Sequence, residues 1–247
     1  MPLSFTDCSY AYRAGHPVLD RLTLELPAGC TVLLGPNGAG KSTLLALGAS
    51  VLEPTAGQVR VGRLSSTGRD NRNEYRCQVG WLPQQVNPVP SLTVREQVAY
   101  AGWLKGLSKS AAWQRSARAL ERVGLTELAG RRSHQLSGGQ LRRMGIAQSL
   151  IHDAHVVLLD EPTAGLDPVQ RGVFRDLVAE LAGSVNFVIS THQTEDLVET
   201  YESVVVLDRG RPVFQGGVPD FLALAPDGVP VERRAESAYR GLVRGEV

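Results

Sequence analysis

The chain has 247 residues, of which 43% are hydrophobic and 21% charged, and a formal net charge of +1 at pH 7. That length can bury the core of one large α/β domain, the composition excludes a disordered chain, and the near-neutral balance excludes an overall electrostatic nucleic-acid binder. No apolar run approaches the ~18–20 residues of a membrane span, and the start, with Asp7 and no basic region, is not a signal peptide, so any action at a membrane goes through a partner.

Residues 3–26 alternate as two short strands broken around Arg13-Ala14-Gly15-His16-Pro17, which predicts an antiparallel ribbon. Thr31-Val32-Leu33-Leu34 is a continuous apolar run that ends at Gly35, and residues 42–47 have helix-compatible composition. Between them, Gly35-Pro36-Asn37-Gly38-Ala39-Gly40-Lys41-Ser42 fits the phosphate-loop pattern G-x-x-x-x-G-K-[ST] completely. Its glycines let successive backbone N–H groups converge on phosphate oxygens, and the following helix adds its positive N-terminus. Lys41 then reaches the terminal phosphates and Ser42 offers a hydroxyl to Mg2+. The expected nucleotide contacts are Gly35, Asn37, Gly38, Ala39, Gly40, Lys41, Ser42 and Thr43.

Residues 78–82 predict a short strand before Pro83. From residue 92 to about 130 the periodicity becomes helical, with Val94, Val98, Ala101 and Leu104 in one segment and Ala117, Leu120 and Val123 in the next. Ser91, Thr93 and Ser108 are expected helix starts and Gly124 an expected stop. Leu136-Ser137-Gly138-Gly139-Gln140 precedes a helix running to about residue 151 and reads either as a second anion-binding turn or as a plain helix N-cap.

Val156-Val157-Leu158-Leu159 is an apolar strand ending in Asp160-Glu161. Asp160 is placed to hold Mg2+, directly or through water, and Glu161 to orient and deprotonate an attacking water. A helix over residues 169–181, a strand over 187–190 and a strand pair near 204–207 and 212–215 follow. Strands alternating with helices imply a mainly parallel sheet covered on both faces. Residues 226–230 read as a turn, and 232–243 as a final helix or a frayed tail.

Cys8, Cys30 and Cys77 are odd in number and outside C-x-x-C spacing, as for reduced thiols of a cytosolic protein. Arg131-Arg132 and Arg142-Arg143 read as solvated helix faces. His152 and His155 sit in a turn without a ligand constellation, so no metal pair is expected there.

The phosphate loop, the Leu136 turn and the acidic strand, in that order, resemble the ABC (ATP-binding cassette) ATPases, and the resemblance covers residues 12–215. It implies a P-loop NTPase fold with a RecA-like, mainly parallel core sheet, an N-terminal antiparallel β subdomain and a helical insertion carrying the LSGGQ signature. One domain over 1–247 is expected: core at 1–90 and 141–225, helical subdomain at 91–140, and C-terminal turn and helix at 226–247. Tyr12 resembles the adenine-stacking aromatic, with Tyr10 as the alternative. Gln84, by the Leu-Pro-Gln pattern and ahead of its neighbour Gln85, resembles the glutamine that senses Mg2+ and the γ-phosphate. Asp167 in Ala164-Gly165-Leu166-Asp167 resembles the D-loop aspartate at the contact between subunits, and His192 the switch histidine.

The implied catalytic set is Glu161, His192, Gln84 and Lys41, with Ser42, Gln84 and Asp160 at the metal. Ser137 and Gly139 are implied to serve the ATP of a second copy. Gln148 and Ala154 depart from the arginine and proline common in the family, at positions that reach no phosphate.

The resemblance further implies an ATPase subunit in a complex of two cassettes and two separate transmembrane permease subunits, peripheral on the inner face of the cell membrane. Trp103 and Leu104 are candidate apolar contacts to the membrane subunit, although either one alone reads first as internal core. Residues 91–97, 102–107 and 235–239 resemble cassettes of ABC-2 type exporters, so export is expected over import. The alternatives are a soluble ABC ATPase acting on nucleic acid or ribosomes, whose coiled-coil insertion, zinc cysteines or tandem cassettes this sequence lacks, and a regulatory module without turnover. No nucleic-acid partner is expected.

Overall fold

The computed structural model describes residues 1–68, 71–194 and 201–244. Strands β1 (Leu3–Tyr10) and β2 (Leu19–Leu26) pair antiparallel, with Leu3 opposite Leu26 and Phe5 opposite Leu24. Next come β3 (Cys30–Leu34), α1 (Lys41–Gly48), β4 (Ala56–Val61), β5 (Leu64–Ser65), α2 (Arg72–Gln78) and β6 (Val79–Leu82). Helices α3 (Val94–Leu104), α4 (Lys109–Arg122) and α5 (Gly138–Leu150) are followed by β7 (Val156–Asp160), α6 (Pro168–Ala182) and β8 (Asn186–Thr191). The described chain closes with β9 (Ser203–Asp208), β10 (Arg211–Gly217), α7 (Val218–Ala223) and α8 (Val231–Arg244).

Two sheets form. An antiparallel one has the order β2-β1-β4-β5, and a second has the order β10-β9-β3-β8-β7-β6, parallel throughout except for the β9–β10 pair. Strands β3, β7, β8 and β9 of the second sheet are buried on both faces, and their period-2 alternation sorts side chains between two cores. Leu33, Leu158, Val188 and Val205 face α1 and, beyond it, Phe5, Leu24 and Val59 of the antiparallel sheet. Val32, Val157, Phe187 and Val204 face the other way, toward Met144 and Ile146 of α5, Phe174 and Val178 of α6, and Phe221.

The helix starts follow the caps written in the sequence. Thr93 Oγ1 accepts from the Glu96 N–H at 3.2 Å while Glu96 accepts from the Thr93 N–H at 2.7 Å, a reciprocal pair that satisfies two donors left free by the first turn. Ser108 caps α4 through the Ala111 N–H, whereas Ser91 starts no helix. The last segment is a helix and no frayed tail: α8 buries Ala238 and lays Ala235, Tyr239 and Leu242 against the core. Among the described residues no helix is long and apolar enough to cross a membrane.

His152 is buried, with Nε2 at 3.3 Å from the Val79 carbonyl oxygen and Nδ1 enclosed without a hydrogen-bond partner among the described residues. Burial, reinforced by the nearby Lys105 cation, pushes its pKa down to about 4. The neutral ring thus donates from Nε2, and acid must protonate a buried Nδ1 that faces no acceptor. An unfolded histidine binds its proton near pH 6.5. Stability from this residue is therefore complete above about pH 6.5 and declines as pH falls toward about 4, by on the order of 3 kcal/mol at the acid end. His152→Gln, which keeps a donor for Val79, is expected to flatten the pH dependence of the urea midpoint across that window, and an unchanged slope would count against the assignment.

Candidate active site

Four parallel strands bring the site together. β3, β8, β7 and β6 are neighbours in register, with Leu34 beside Thr191, Ser190 beside Asp160 and Leu159 beside Leu82. Their C-terminal ends therefore open at one edge of the sheet, the edge at which open α/β sheets bind ligands. The loop after β3 carries residues 35–42, β7 ends in Asp160, β8 leads to His192, and β6 leads to Gln84.

The phosphate loop folds as a concave turn. Gly40, the residue before α1, has φ 102°, a conformation that a side chain would strain. Lys41 is nearly buried, and its Nζ donates to the Gly35 carbonyl at 2.6 Å and the Pro36 carbonyl at 3.2 Å, with Glu161 Oε1 at 3.7 Å. Burial lowers its pKa, while the Glu161 and Asp160 carboxylates oppose that shift.

The acidic end of β7 is held by a residue to which the sequence assigned no role. Ser190 Oγ donates to Asp160 Oδ1 at 2.7 Å and accepts from the Glu161 N–H at 2.9 Å, so one hydroxyl fixes both carboxylate residues. Glu161 has φ 44°, which costs a non-glycine residue roughly 1–2 kcal/mol and turns its side chain out of the strand line toward the loop. There Glu161 Oε1 lies 3.2 Å from His192 Nδ1.

A cleft of about 450 Å³ lies over the loop, lined by Tyr12, Asn37, Gly38, Gly40, Lys41, Ser42, Thr43, Gln84 and Glu161 together with Val18 and Pro36. Tyr12 is 62% exposed at its edge, its hydroxyl 3.3 Å from Thr43 Oγ1 and its ring set edge-on against Tyr10 at 5.0 Å. Of the two aromatic candidates, Tyr12 lines the cleft and Tyr10 does not. Gly35 and Ala39 belong to the loop backbone without lining the cleft, and Asp160 sits behind Glu161, 4% exposed. Gln84 faces the cleft and Gln85 does not.

Ser137, Gly139 and Asp167 are not brought to this cleft. Ser137 caps α5, its Oγ accepting from the Gln140 N–H at 3.3 Å while Gln140 accepts from the Ser137 N–H at 2.9 Å. Asp167 caps α6 through the Gln170 N–H at 2.9 Å. The helix-cap reading of the Leu136 turn therefore holds within one chain. The cap also leaves Gly138 exposed at the N-terminus of a 13-residue helix, where backbone N–H groups and the helix dipole favour an anion.

The donor set fits a magnesium nucleotide. Ser42, Asp160 and Gln84 offer hard oxygen ligands of the kind Mg2+ selects. The turn over residues 35–40 offers converging amides, and Lys41 can exchange loop carbonyls for phosphate oxygens. Mg2+, when bound, neutralises charge on the phosphates undergoing transfer. Glu161 and Gln84 line the cleft, and His192 does not line it but reaches it through its contact with Glu161.

Comparison with known proteins agrees with this geometry. The ABC transporter family model matches residues 19–164. The chain is 38% identical over 232 residues to the methionine import ATP-binding protein MetN of Caulobacter vibrioides, covering 91% of this chain and 70% of that protein. It is 36% identical over 220 residues to the energy-coupling factor transporter ATP-binding protein EcfA of Methanothermobacter thermautotrophicus, covering 87% and 70%. The dimeric post-hydrolysis structure of the ATP-binding cassette MJ0796 bound to ADP and Pi superposes with a TM-score of 0.76 at 25% identity, covering 87% of this chain and 98% of that one. The chain belongs to the ABC transporter ATP-binding family and is a magnesium-dependent ATPase cassette.

Proposed function

We propose that two copies of the chain close head to tail on ATP, each nucleotide lying between the phosphate loop of one copy and residues 137–139 of the other. The observation that carries this reading is the separation of the two anion-binding turns: Lys41, Ser42, Gln84 and Glu161 line the cleft over residues 35–43, while Ser137 and Gly139 lie outside it. The dimeric MJ0796 cassette supports pairing. The γ-phosphate touches both copies only in the closed state, so hydrolysis removes the differential contact and lets the pair reopen.

The pair drives separate transmembrane subunits from the cytoplasmic face of the membrane. Two hollows that contain the expected contact residues suit them. Trp103 stacks on Tyr100 at 5.8 Å and, with Trp113 and Ala99, lines an apolar hollow of about 430 Å³. Leu104 lines a second hollow of about 530 Å³ with Val51, Cys77 and Lys105. The two expected contact residues thus belong to different hollows. Export, expected from the resemblance of residues 91–97, 102–107 and 235–239 to ABC-2 cassettes, is not supported: relatives of this chain are named for methionine import and cobalt import.

Detergent extraction of the native membrane, followed by capture of the tagged chain and mass spectrometry, is expected to recover a polytopic membrane protein. Recovery of a soluble nucleic-acid or ribosomal complex instead would overturn the transport reading.

A further inference from the structure

Arg171 stands four residues after the capping Asp167, in the first turns of α6, and its guanidinium joins two loops. Nε donates to the Leu166 carbonyl at 3.1 Å and Nη1 to Gln193 Oε1 at 2.9 Å. Gln193 directly follows His192, and its own N–H is held by Thr191 Oγ1 at 3.0 Å. His192 in turn contacts Glu161. Among the described residues both acceptors of Arg171 are neutral oxygens.

A guanidinium is a rigid planar fork whose donors point in fixed directions. With one donor on the Leu166 carbonyl and another on Gln193, a displacement of the turn over residues 164–167 must either carry Gln193 with it or break a hydrogen bond. A lysine would have to reach both acceptors from a single nitrogen, whereas the guanidinium serves them from two nitrogens held in one plane. The turn is short, and the capping of α6 by Asp167 ties its far end to the same helix that bears Arg171.

We propose that Arg171 is a positioning residue that transmits the placement of the turn over residues 164–167 to His192, so that hydrolysis begins only when that turn is seated against the second copy. This rests on the head-to-tail pairing proposed above, which puts the turn at the contact between copies. Arg171 touches no reacting atom and acts through Gln193 and His192.

The test measures ATP turnover, KM and the Hill coefficient for Arg171→Ala, Arg171→Lys, Gln193→Ala and the double alanine variant, using the full chain. The expected result is a fall in kcat of about tenfold or more for Arg171→Ala, with KM within about twofold and the Hill coefficient moving toward unity. Lysine does not restore the rate, Gln193→Ala shows the same pattern more weakly, and the double variant is no slower than Arg171→Ala. Gln193→Ala alters only a loop side chain and keeps the test open if Arg171→Ala does not fold. Unchanged turnover and cooperativity in these variants would overturn the proposal, as would a fall in kcat accompanied by higher KM, lower Tm and additive effects in the double variant. A parallel Glu161→Gln preparation separates the two levels. If it forms an ATP-bound dimer while the Arg171 and Gln193 variants hydrolyse normally and cooperatively, only the role of Arg171 falls. If it forms no dimer, the pairing falls and takes that role with it.

Discussion

Replacing Glu161 by Gln is expected to lower ATP turnover by about 10²–10⁴-fold while leaving the ATP-bound pair assembled. The substitution is nearly isosteric. It keeps an acceptor for His192 and leaves the backbone contact to Ser190 untouched, but an amide cannot take a proton from water. Binding and closure use the phosphate loop, Mg2+ and the facing turn, none of which is altered, so the step removed is the one that reopens the sandwich. Size-exclusion chromatography with ATP-Mg should show a dimer that wild-type protein loses as it hydrolyses. Full turnover in the variant would reassign the base.

Lys41→Ala acts earlier. In the structure the ammonium is nearly buried, donates to two loop carbonyls, and stands between the loop and the carboxylates of Asp160 and Glu161. Its removal takes away a charge-assisted contact to phosphate, ~1.5–3 kcal/mol, and leaves two carboxylates facing the anion without a balancing cation. Affinity for ATP is expected to drop by about 10- to 100-fold, measured by titration calorimetry, and the variant should not dimerise at nucleotide concentrations that saturate the Glu161→Gln protein. An unchanged Kd would mean that Lys41 stays on its loop carbonyls when the nucleotide is bound.

What could be read from the sequence was what local chemistry writes locally. The phosphate loop, the acidic end of β7 and the caps at Thr93 and Ser108 each carry their own signal, because the residue type and its spacing are the mechanism. Strands β4 and β5 and helix α2, over residues 56–78, were not legible. Their alternation is weak, and β4 is a strand because Val59 and Val61 lie opposite Phe5 and Leu3 of β1, a pairing across more than fifty positions. Ser190 was passed over for the same kind of reason. A serine in a buried strand has no signature of its own, and its task appears only once β8 lies beside β7. His152 read only as a turn residue without a ligand constellation, and its burial against Val79 of β6 appears only in the fold. The Leu136 turn was the opposite case, a local signal with two readings, and one chain's structure satisfies the modest one.

The central claim is that this turn works in trans, and two cassettes joined by a flexible linker test it most directly. With Lys41→Ala in one copy and Ser137→Glu in the other, a trans arrangement confines both defects to a single composite site and leaves the second intact. With both substitutions in the same copy, each site carries one defect. The account predicts that the split pair hydrolyses ATP while the same-copy double variant does not. Turnover in the same-copy variant together with loss in the split pair would show that residues 137–139 serve their own chain's nucleotide, and would contradict the account.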